Sequence, residues 1–166
     1  MSAPSLLRRK WRSYRQKDRS VRLLAPPVFV LLGVARLAVV VLPFRVYVPL
    51  LGERVTTADV VAPAADARDS ERAMAVRKSI ASVAAVTPWT SNCLPQALVA
   101  CVLLRLYGVA HVAYLGTTRG DPDREPLRAH AWVMASGFAV TGGRGARRQT
   151  VVATFATPRS ARRGQR

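Results

Sequence analysis

The chain has 166 residues, half of them hydrophobic, which suits one domain of ordinary size with a buried core. Its formal net charge is +17, nearly all of it from arginine, and basic residues crowd the segments 8–22 and 158–166. No stacking aromatics or recognition motif accompany this charge, so an anionic membrane surface or an acidic peptide is a better candidate partner than nucleic acid. Two cysteines are too few for a disulfide-stapled secreted scaffold. The cysteine and histidine spacings predict no metal site, and no cofactor is expected.

The first predicted element is an apolar helix within residues 23–43. The pair Pro26-Pro27 opens this run and leaves an uninterrupted apolar part at 28–42, which has 15 residues. A spanning helix needs about 20 residues, and Arg36 lies in the middle of the run. We therefore predict a helix that is buried or faces a partner, with membrane-surface contact as the next alternative and a spanning helix as the third.

A connector rich in Gly, Pro and short polar residues follows at 52–69. The next helix is predicted to begin near Ser70, a good N-cap, and to run to about Val86. Thr87-Pro88 ends it, because the residue before a proline avoids the helical region.

The segment "NCLPQALVACVLLRLYG" predicts a third helix. Ser91 or Asn92 can cap it, Pro95 is tolerated in its first turn and Gly108 is a natural stop. Its leucines and valines fall on more than one side, which is typical of a central helix packed by other elements.

The rest of the chain reads as strands, and helix followed by strands predicts an α+β fold with an antiparallel sheet packed against the central helix. The predicted division is an N-terminal docking or membrane-surface region, a catalytic domain and a disordered basic tail, at 1–65, 66–157 and 158–166. The predicted strands are 109–116, a hairpin of 130–135 and 138–140 around a Ser136-Gly137 turn, and 150–156, with a polar loop at 117–128.

Both cysteines lie on the predicted central helix. Cys93 and Cys101 are eight residues apart, about 12 Å of helical rise, which excludes a disulfide between them. Cys101 lies mid-helix among apolar residues and is expected to be core. Cys93 lies in the first turn, where unpaired N–H groups and the helix dipole favour a thiolate, although a structural role is also open to it.

A nucleophilic cysteine needs a base, and the chain has two histidines. The helix from Cys93 rises about 22 Å and the next strand returns about 26 Å. His111 therefore begins at the far end, whereas His130 opens the next strand at the Cys93 end. We predict that His130 meets Cys93 and that His111 does not.

A third group usually orients such a histidine. The hairpin returns to this end at 141–143, which reads "TGG" and offers no carboxylate. Asp121, Asp123 and Glu125 of the preceding loop are alternatives.

Three motifs carry a resemblance to a known family. "CLPQAL" at 93–98, "LLRLYG" at 103–108 and "AHAWV" at 129–133 resemble the transglutaminase-like cysteine peptidases of lasso-peptide biosynthesis. The basic start and the apolar run ending in "LPF" at 42–44 are also similar, so the resemblance covers most of residues 10–143. The combination is fairly specific, whereas "HAW" alone would be weak.

The resemblance implies a papain/transglutaminase-like core with an N-terminal helical extension. It also implies Cys93 as the nucleophile and His130 as the base. The usual acidic third member aligns at about Gly142, where this sequence departs from the family, and Thr141 is the substitute that we name. Asn92 and Cys93, at the helix N-terminus, are expected to form the oxyanion site, and two tryptophans, Trp89 and Trp132, to contact substrate.

The function implied is removal of a leader peptide from a ribosomally made lasso-peptide precursor. The expected partners are that leader, a separate leader-binding recognition protein and an ATP-dependent cyclase, for which the first 60 residues offer a docking surface. The expected location is the cytoplasm, with the inner face of the membrane as the alternative. The alternatives are a scaffold of the same complex with weak or no catalysis, and a related acyl-transfer thiol enzyme.

Overall fold

The computed structural model describes residues 19–56, 66–119, 127–146 and 149–157. Its helices are α1 (Arg19–Val41), α2 (Phe44–Tyr47), α3 (Ala67–Ala84), α4 (Cys93–Leu106) and α5 (Gly143–Ala146), with a 3₁₀ turn at Val48–Leu50. Its strands are β1 (Glu53–Val55), β2 (His111–Arg119), β3 (Leu127–Ala135), β4 (Phe138–Thr141) and β5 (Thr150–Ala156). Outside the described residues lie most of the basic block at 8–22, the middle of the connector at 52–69, the three carboxylates of the loop at 117–128, and the tail at 158–166.

Helix α1 is longer than predicted. It has 23 residues, begins at Arg19 and continues through Pro26 and Pro27, the pair that was expected to open the apolar run. The prolines lack N–H groups, so neither can donate the hydrogen bond that a helical residue normally gives to the carbonyl four residues before it. Leu23, four residues before Pro27, is exposed, so water can hydrate its carbonyl.

Within the described residues, α1 is the one helix whose length and composition would let it cross a membrane. A core helix of a soluble protein and a signal sequence meet the same criterion. One face of α1 is in fact packed inside the protein: Val28 and Leu32 are fully buried against α3 and α4. The opposite face stays exposed along the length of the helix, through Leu23, Val34 and Leu37.

Helix α3 begins three residues earlier than predicted. Its N-cap is Asp66, whose carboxylate accepts a hydrogen bond from the backbone N–H of Arg68 at 3.2 Å. An aspartate here satisfies an orphan N–H and also complements the positive end of the helix dipole. Ser70 therefore lies inside the first turn rather than at the cap.

Helix α4 is the centre of the fold, as its all-round apolar pattern predicts. It packs on α1 and α3 on one side and on β2, β3 and β4 on the other. Eight of its fourteen residues are buried, including Leu98, Cys101 and Leu104. The helix ends before Gly108, whose φ of 69° suits glycine at a helix C-terminus.

The five described strands form one antiparallel sheet in the order β1-β5-β2-β3-β4. This confirms the predicted α+β class with an antiparallel sheet. The β3–β4 hairpin turns at Ser136 and Gly137, both with positive φ, as predicted. Strand β1 was not predicted: it has three residues without apolar alternation and pairs only because β5 offers it an edge.

The predicted domain boundary at residue 65 adjoins a stretch, 57–65, that the structure does not describe, and the division into 1–65 and 66–157 stays a prediction. Helix α1 nevertheless shares a single core with α3, α4 and the sheet.

We predict that Leu32→Ala lowers the free energy of unfolding by about 2–5 kcal/mol, because it deletes a fully buried side chain where α1 meets the core. Leu37→Ala is the matched control on the same helix: Leu37 is 64% exposed, and its truncation should change stability by about 0.5 kcal/mol or less. Urea unfolding measures both. Equal effects of the two variants would show that α1 does not belong to this core.

Candidate active site

The segment that leads into α4 is held by hydrogen bonds. Thr87 Oγ1 lies 3.1 Å from the carbonyl oxygens of Ala84 and Trp89 and 3.0 Å from Ser91 Oγ. Gln96, in the first turn of α4, donates from Nε2 to the carbonyl of Ser91 at 2.7 Å. The segment before Cys93 is therefore held by hydrogen bonds from Thr87 at its start and from Gln96 in the helix that follows.

Cys93 is the first residue of α4 and is half-buried against the core. Asn92 is the N-cap, but its side chain makes no capping hydrogen bond; its carbonyl accepts the N–H of Gln96 at 3.3 Å. The N–H groups of Cys93 and Leu94 thus have no helical partner, while Pro95 has none to offer. Two free donors beside the thiol can bind an oxyanion.

Cys101 has a different environment from Cys93. It is completely buried in the core, and burial raises the pKa of its thiol to about 12. A thiol that stays protonated and out of solvent is not a nucleophile at neutral pH. The sequence prediction that Cys101 packs in the core agrees with this position.

His130 lies on β3 and pairs with Gly116 of β2. Its Nε2 is 2.7 Å from the carbonyl oxygen of Gly142, just beyond the end of β4. The ring stacks on Trp132 with centroids 5.9 Å apart, and Trp132 stacks in turn on Tyr114 at 5.3 Å. The imidazole is therefore held both at its edge and across its face.

An open cavity of about 790 Å³ lies beside His130. Small apolar residues of α3, among them Ile80, Ala81 and Ala84, form one wall, and Gln96 of α4 joins them. Arg77 lines the cavity too; its guanidinium carbon lies 5.9 Å from the ring centre of Phe138. The cavity thus combines an apolar wall with a cation and an imidazole.

Gln96 lines the cavity and lies one helical turn after Cys93. Because residues three apart lie on the same face of a helix, we expect the Cys93 side chain to project toward this cavity. The described residues that line the cavity do not include Cys93 itself, and no hydrogen bond joins its Sγ to His130 in the described part of the chain. Such contacts are often long in the resting state and tighten when substrate binds.

Of the other predicted site residues, Thr141 and Trp132 lie near His130, whereas Trp89 lies against α1. Thr141 lines the cavity, but its buried Oγ1 has no hydrogen-bond partner among the described residues; the neighbouring Gly142 makes the contact to His130. Trp132 is buried in the stack behind the imidazole. Trp89 packs against α1, with its ring centre 5.0 Å from that of Phe29.

His111 lies at the opposite end of β2 from Gly116, the partner of His130, and about 16 Å away by strand rise. It is fully buried, its Nδ1 is 3.0 Å from the carbonyl oxygen of Val109, and burial lowers its pKa.

Sequence reasoning missed three contributors to the site: Gln96, Arg77 and Gly142. The i, i+3 spacing from Cys93 was a signal for Gln96. Arg77 was one arginine among many, and nothing in its local sequence marked it. In the "TGG" segment, the missing carboxylate and the Thr141 side chain were considered, and the backbone of Gly142 was not.

A family model described as the transglutaminase-like superfamily matches residues 38–155, which are 118 of the 166 residues. The chain belongs to the transglutaminase-like superfamily. The match contains both Cys93 and His130. No curated protein and no solved structure matches the chain significantly. Domains of the transglutaminase-like superfamily are commonly cysteine-dependent enzymes, cysteine peptidases and acyl-transferases among them.

In the part of the chain that the structure describes, no group of three or more His, Cys, Asp or Glu side chains could hold a metal ion.

We predict that iodoacetamide alkylates Cys93 in the folded protein and reaches Cys101 only after unfolding. The reason is that Cys93 is partly accessible at a helix N-terminus, whereas Cys101 is buried and its pKa is raised to about 12. Peptide mass spectrometry before and after addition of denaturant measures this. Native labelling should vanish in Cys93→Ala, and native labelling of Cys101 at a comparable rate would contradict the assignment.

Proposed function

We propose that this protein is a cysteine peptidase that removes the leader peptide from a ribosomally made lasso-peptide precursor. The observation that carries the proposal is the position of Cys93 at the N-terminus of α4, one turn before a cavity lined by His130. Membership of a superfamily that includes cysteine peptidases supports the reaction class. The motifs around Cys93 and His130, which resemble those of the lasso-peptide peptidases, support the choice of substrate.

In the proposed reaction, Cys93 Sγ attacks the carbonyl carbon at the leader–core junction while His130 takes the thiol proton. The oxyanion of the tetrahedral intermediate accepts hydrogen bonds from the N–H groups of Cys93 and Leu94. When the carbon–nitrogen bond breaks, His130 gives its proton to the amine of the core peptide, which leaves. The leader remains as a thioester on Cys93.

Water then completes the cycle. His130 takes a proton from the water that attacks the thioester, the carbon–sulfur bond breaks, and the thiol is restored as the leader departs with a new carboxylate. The apolar wall of Ile80, Ala81 and Ala84 suits a modest side chain near the scissile bond. We assign substrate contact to this wall and to Arg77 rather than to Trp89, whose ring packs against α1.

A related acyl-transfer reaction is the second candidate, because the superfamily also includes acyl-transferases. It would use the same thioester with an amine in place of water as the acceptor. The scaffold alternative is supported by the missing carboxylate at 141–143. Product analysis separates them: a free leader carboxylate indicates hydrolysis, a leader amide indicates transfer, and an unchanged precursor indicates a scaffold.

We further propose that the exposed apolar face of α1 docks the separate leader-binding protein. This face contains Leu23, Val30, Val34 and Leu37, and contiguous apolar surface of this extent is typical of an interaction site. An adjoining side of α1 touches Trp89, four residues before Cys93, through Phe29 and Gly33. A partner on α1 would therefore hold the leader near the nucleophile. The cyclase is a further proposed partner of the N-terminal region.

The first prediction from this function concerns the nucleophile. With the leader-binding protein present, the wild type should cleave the precursor, and Cys93→Ala should lose cleavage by a factor on the order of 10³ or more. Cys101→Ala is the matched control and should retain cleavage when rates are corrected for the folded fraction. Mass spectrometry of the products measures this, and equal cleavage by the wild type and Cys93→Ala would remove Cys93 from the mechanism.

The second concerns docking. Leu37→Glu should weaken binding of the leader-binding protein by about tenfold or more and slow precursor cleavage, while native alkylation of Cys93 stays unchanged. Leu106→Glu is the control, because Leu106 is 77% exposed at the other end of the central helix. Calorimetry measures the affinity. If Leu37→Glu instead abolishes co-sedimentation with anionic phospholipid vesicles and leaves partner binding intact, the face contacts a membrane surface, not the partner.

A further inference from the structure

The contact between His130 and Gly142 determines which imidazole nitrogen carries the proton, as well as the position of the ring. A backbone carbonyl oxygen can only accept a hydrogen bond, so at 2.7 Å the Nε2 atom must carry the proton. In the neutral imidazole the lone pair is then on Nδ1. Nδ1 is therefore the ring nitrogen that can receive a proton from a thiol.

The carbonyl of Gly142 is itself held in place. It also accepts the N–H of Gly145 at 3.3 Å, across the first turn of α5. Gly142 has a φ of +68°, and a Cβ built there would lie 2.8 Å from Trp132 Cβ. The backbone needs glycine at this position for its conformation and for the close approach of β3.

Gly145 also lies close to the Nε2 edge of the imidazole. A Cβ built on Gly145 would lie 2.9 Å from His130 Nε2 and 3.2 Å from its Cδ2. The main chain at Gly142 and Gly145 therefore lies against the edge of the imidazole, while Trp132 covers its face.

We propose that the backbone carbonyl of Gly142 is the group that orients His130, in place of a side-chain carboxylate or Thr141. Gly142 is a positioning residue: it selects the Nε2–H tautomer and leaves Nδ1 as the base. A neutral carbonyl stabilises an imidazolium less than a carboxylate does, since hydrogen bonds between charged partners are the stronger ones. This inference deepens the proposed function and rests on it for the role of His130 as base.

The tautomer can be measured directly by ¹⁵N NMR of histidine-labelled protein at about pH 8, above the ordinary histidine pKa near 6.5. His130 should show the Nε2–H tautomer. His111 supplies an internal contrast, because its Nδ1 faces the carbonyl oxygen of Val109 and should carry the proton. The His130→Gln variant assigns the signals. An Nδ1–H tautomer or a mixture at His130 would overturn the proposal.

A functional test uses Gly145→Ala, which places a methyl group against Nε2. We expect kcat for precursor cleavage to fall by on the order of 100-fold with little change in KM, and the His130 signals to shift. Gly137→Asn, at the hairpin tip with open space around it and a positive φ that Asn tolerates, should leave both unchanged. Wild-type kcat with undisturbed His130 signals in Gly145→Ala would count against the proposal. If Gly145→Ala does not fold, the tautomer measurement decides alone.

The two proposals fail in different ways. If the wild type never cleaves the precursor but His130 is the Nε2–H tautomer, the leader-peptidase function fails and the positioning role of Gly142 stands. If cleavage depends on Cys93 but the tautomer is Nδ1–H, the peptidase function stands and Gly142 loses its role.

Discussion

The burial of α4 on both of its sides is the constraint on which the rest of the structure depends. Because α1 and α3 cover one side and the sheet covers the other, eight of the fourteen residues of the helix are buried and cannot take part in chemistry. Its N-terminus remains open, and this is where N–H groups lack partners and the dipole favours negative charge. The two cysteines of one helix therefore differ by position alone: Cys101 is packed in the core, whereas Cys93 is half-buried at the helix N-terminus.

The antiparallel sheet positions the histidine of the site and the backbone carbonyl that contacts it. The β2–β3 register places His130 opposite Gly116, far from His111, and the β3–β4 hairpin brings Gly142 back to the imidazole. Gly116 is itself needed there, since a Cβ would lie 2.9 Å from the ring of Trp132. The stack of Tyr114, Trp132 and imidazole can form only where one strand carries no side chain.

Part of this arrangement can be predicted from local sequence patterns. Hydrophobic period and turn residues predicted the central helix, the hairpin and the end at which His130 lies. The failures have separate physical causes. Pro26 and Pro27 were expected to open the apolar run, but α1 continues through them because exposed carbonyls tolerate proline in a helix. The start of α3 was misplaced because Asp66, four residues before Ser70, supplies the cap. The contact of Trp89 with α1 joins residues far apart in sequence and leaves no local signal.

The contact of Gly142 with His130 was not predicted. A side chain was expected to orient the imidazole at this point, whereas the contact is made by a main-chain oxygen. A carboxylate at this position would need a Cβ, and a Cβ built there would meet the carbonyl oxygen of Ala131 and lie 2.8 Å from Trp132 Cβ. The backbone that offers its carbonyl to His130 is thus the backbone that forbids an aspartate. The absence of an acid from "TGG" and the 2.7 Å contact are two results of one local conformation. A substitution that adds an acid must move this turn, and in doing so it withdraws the acceptor that the imidazole now uses.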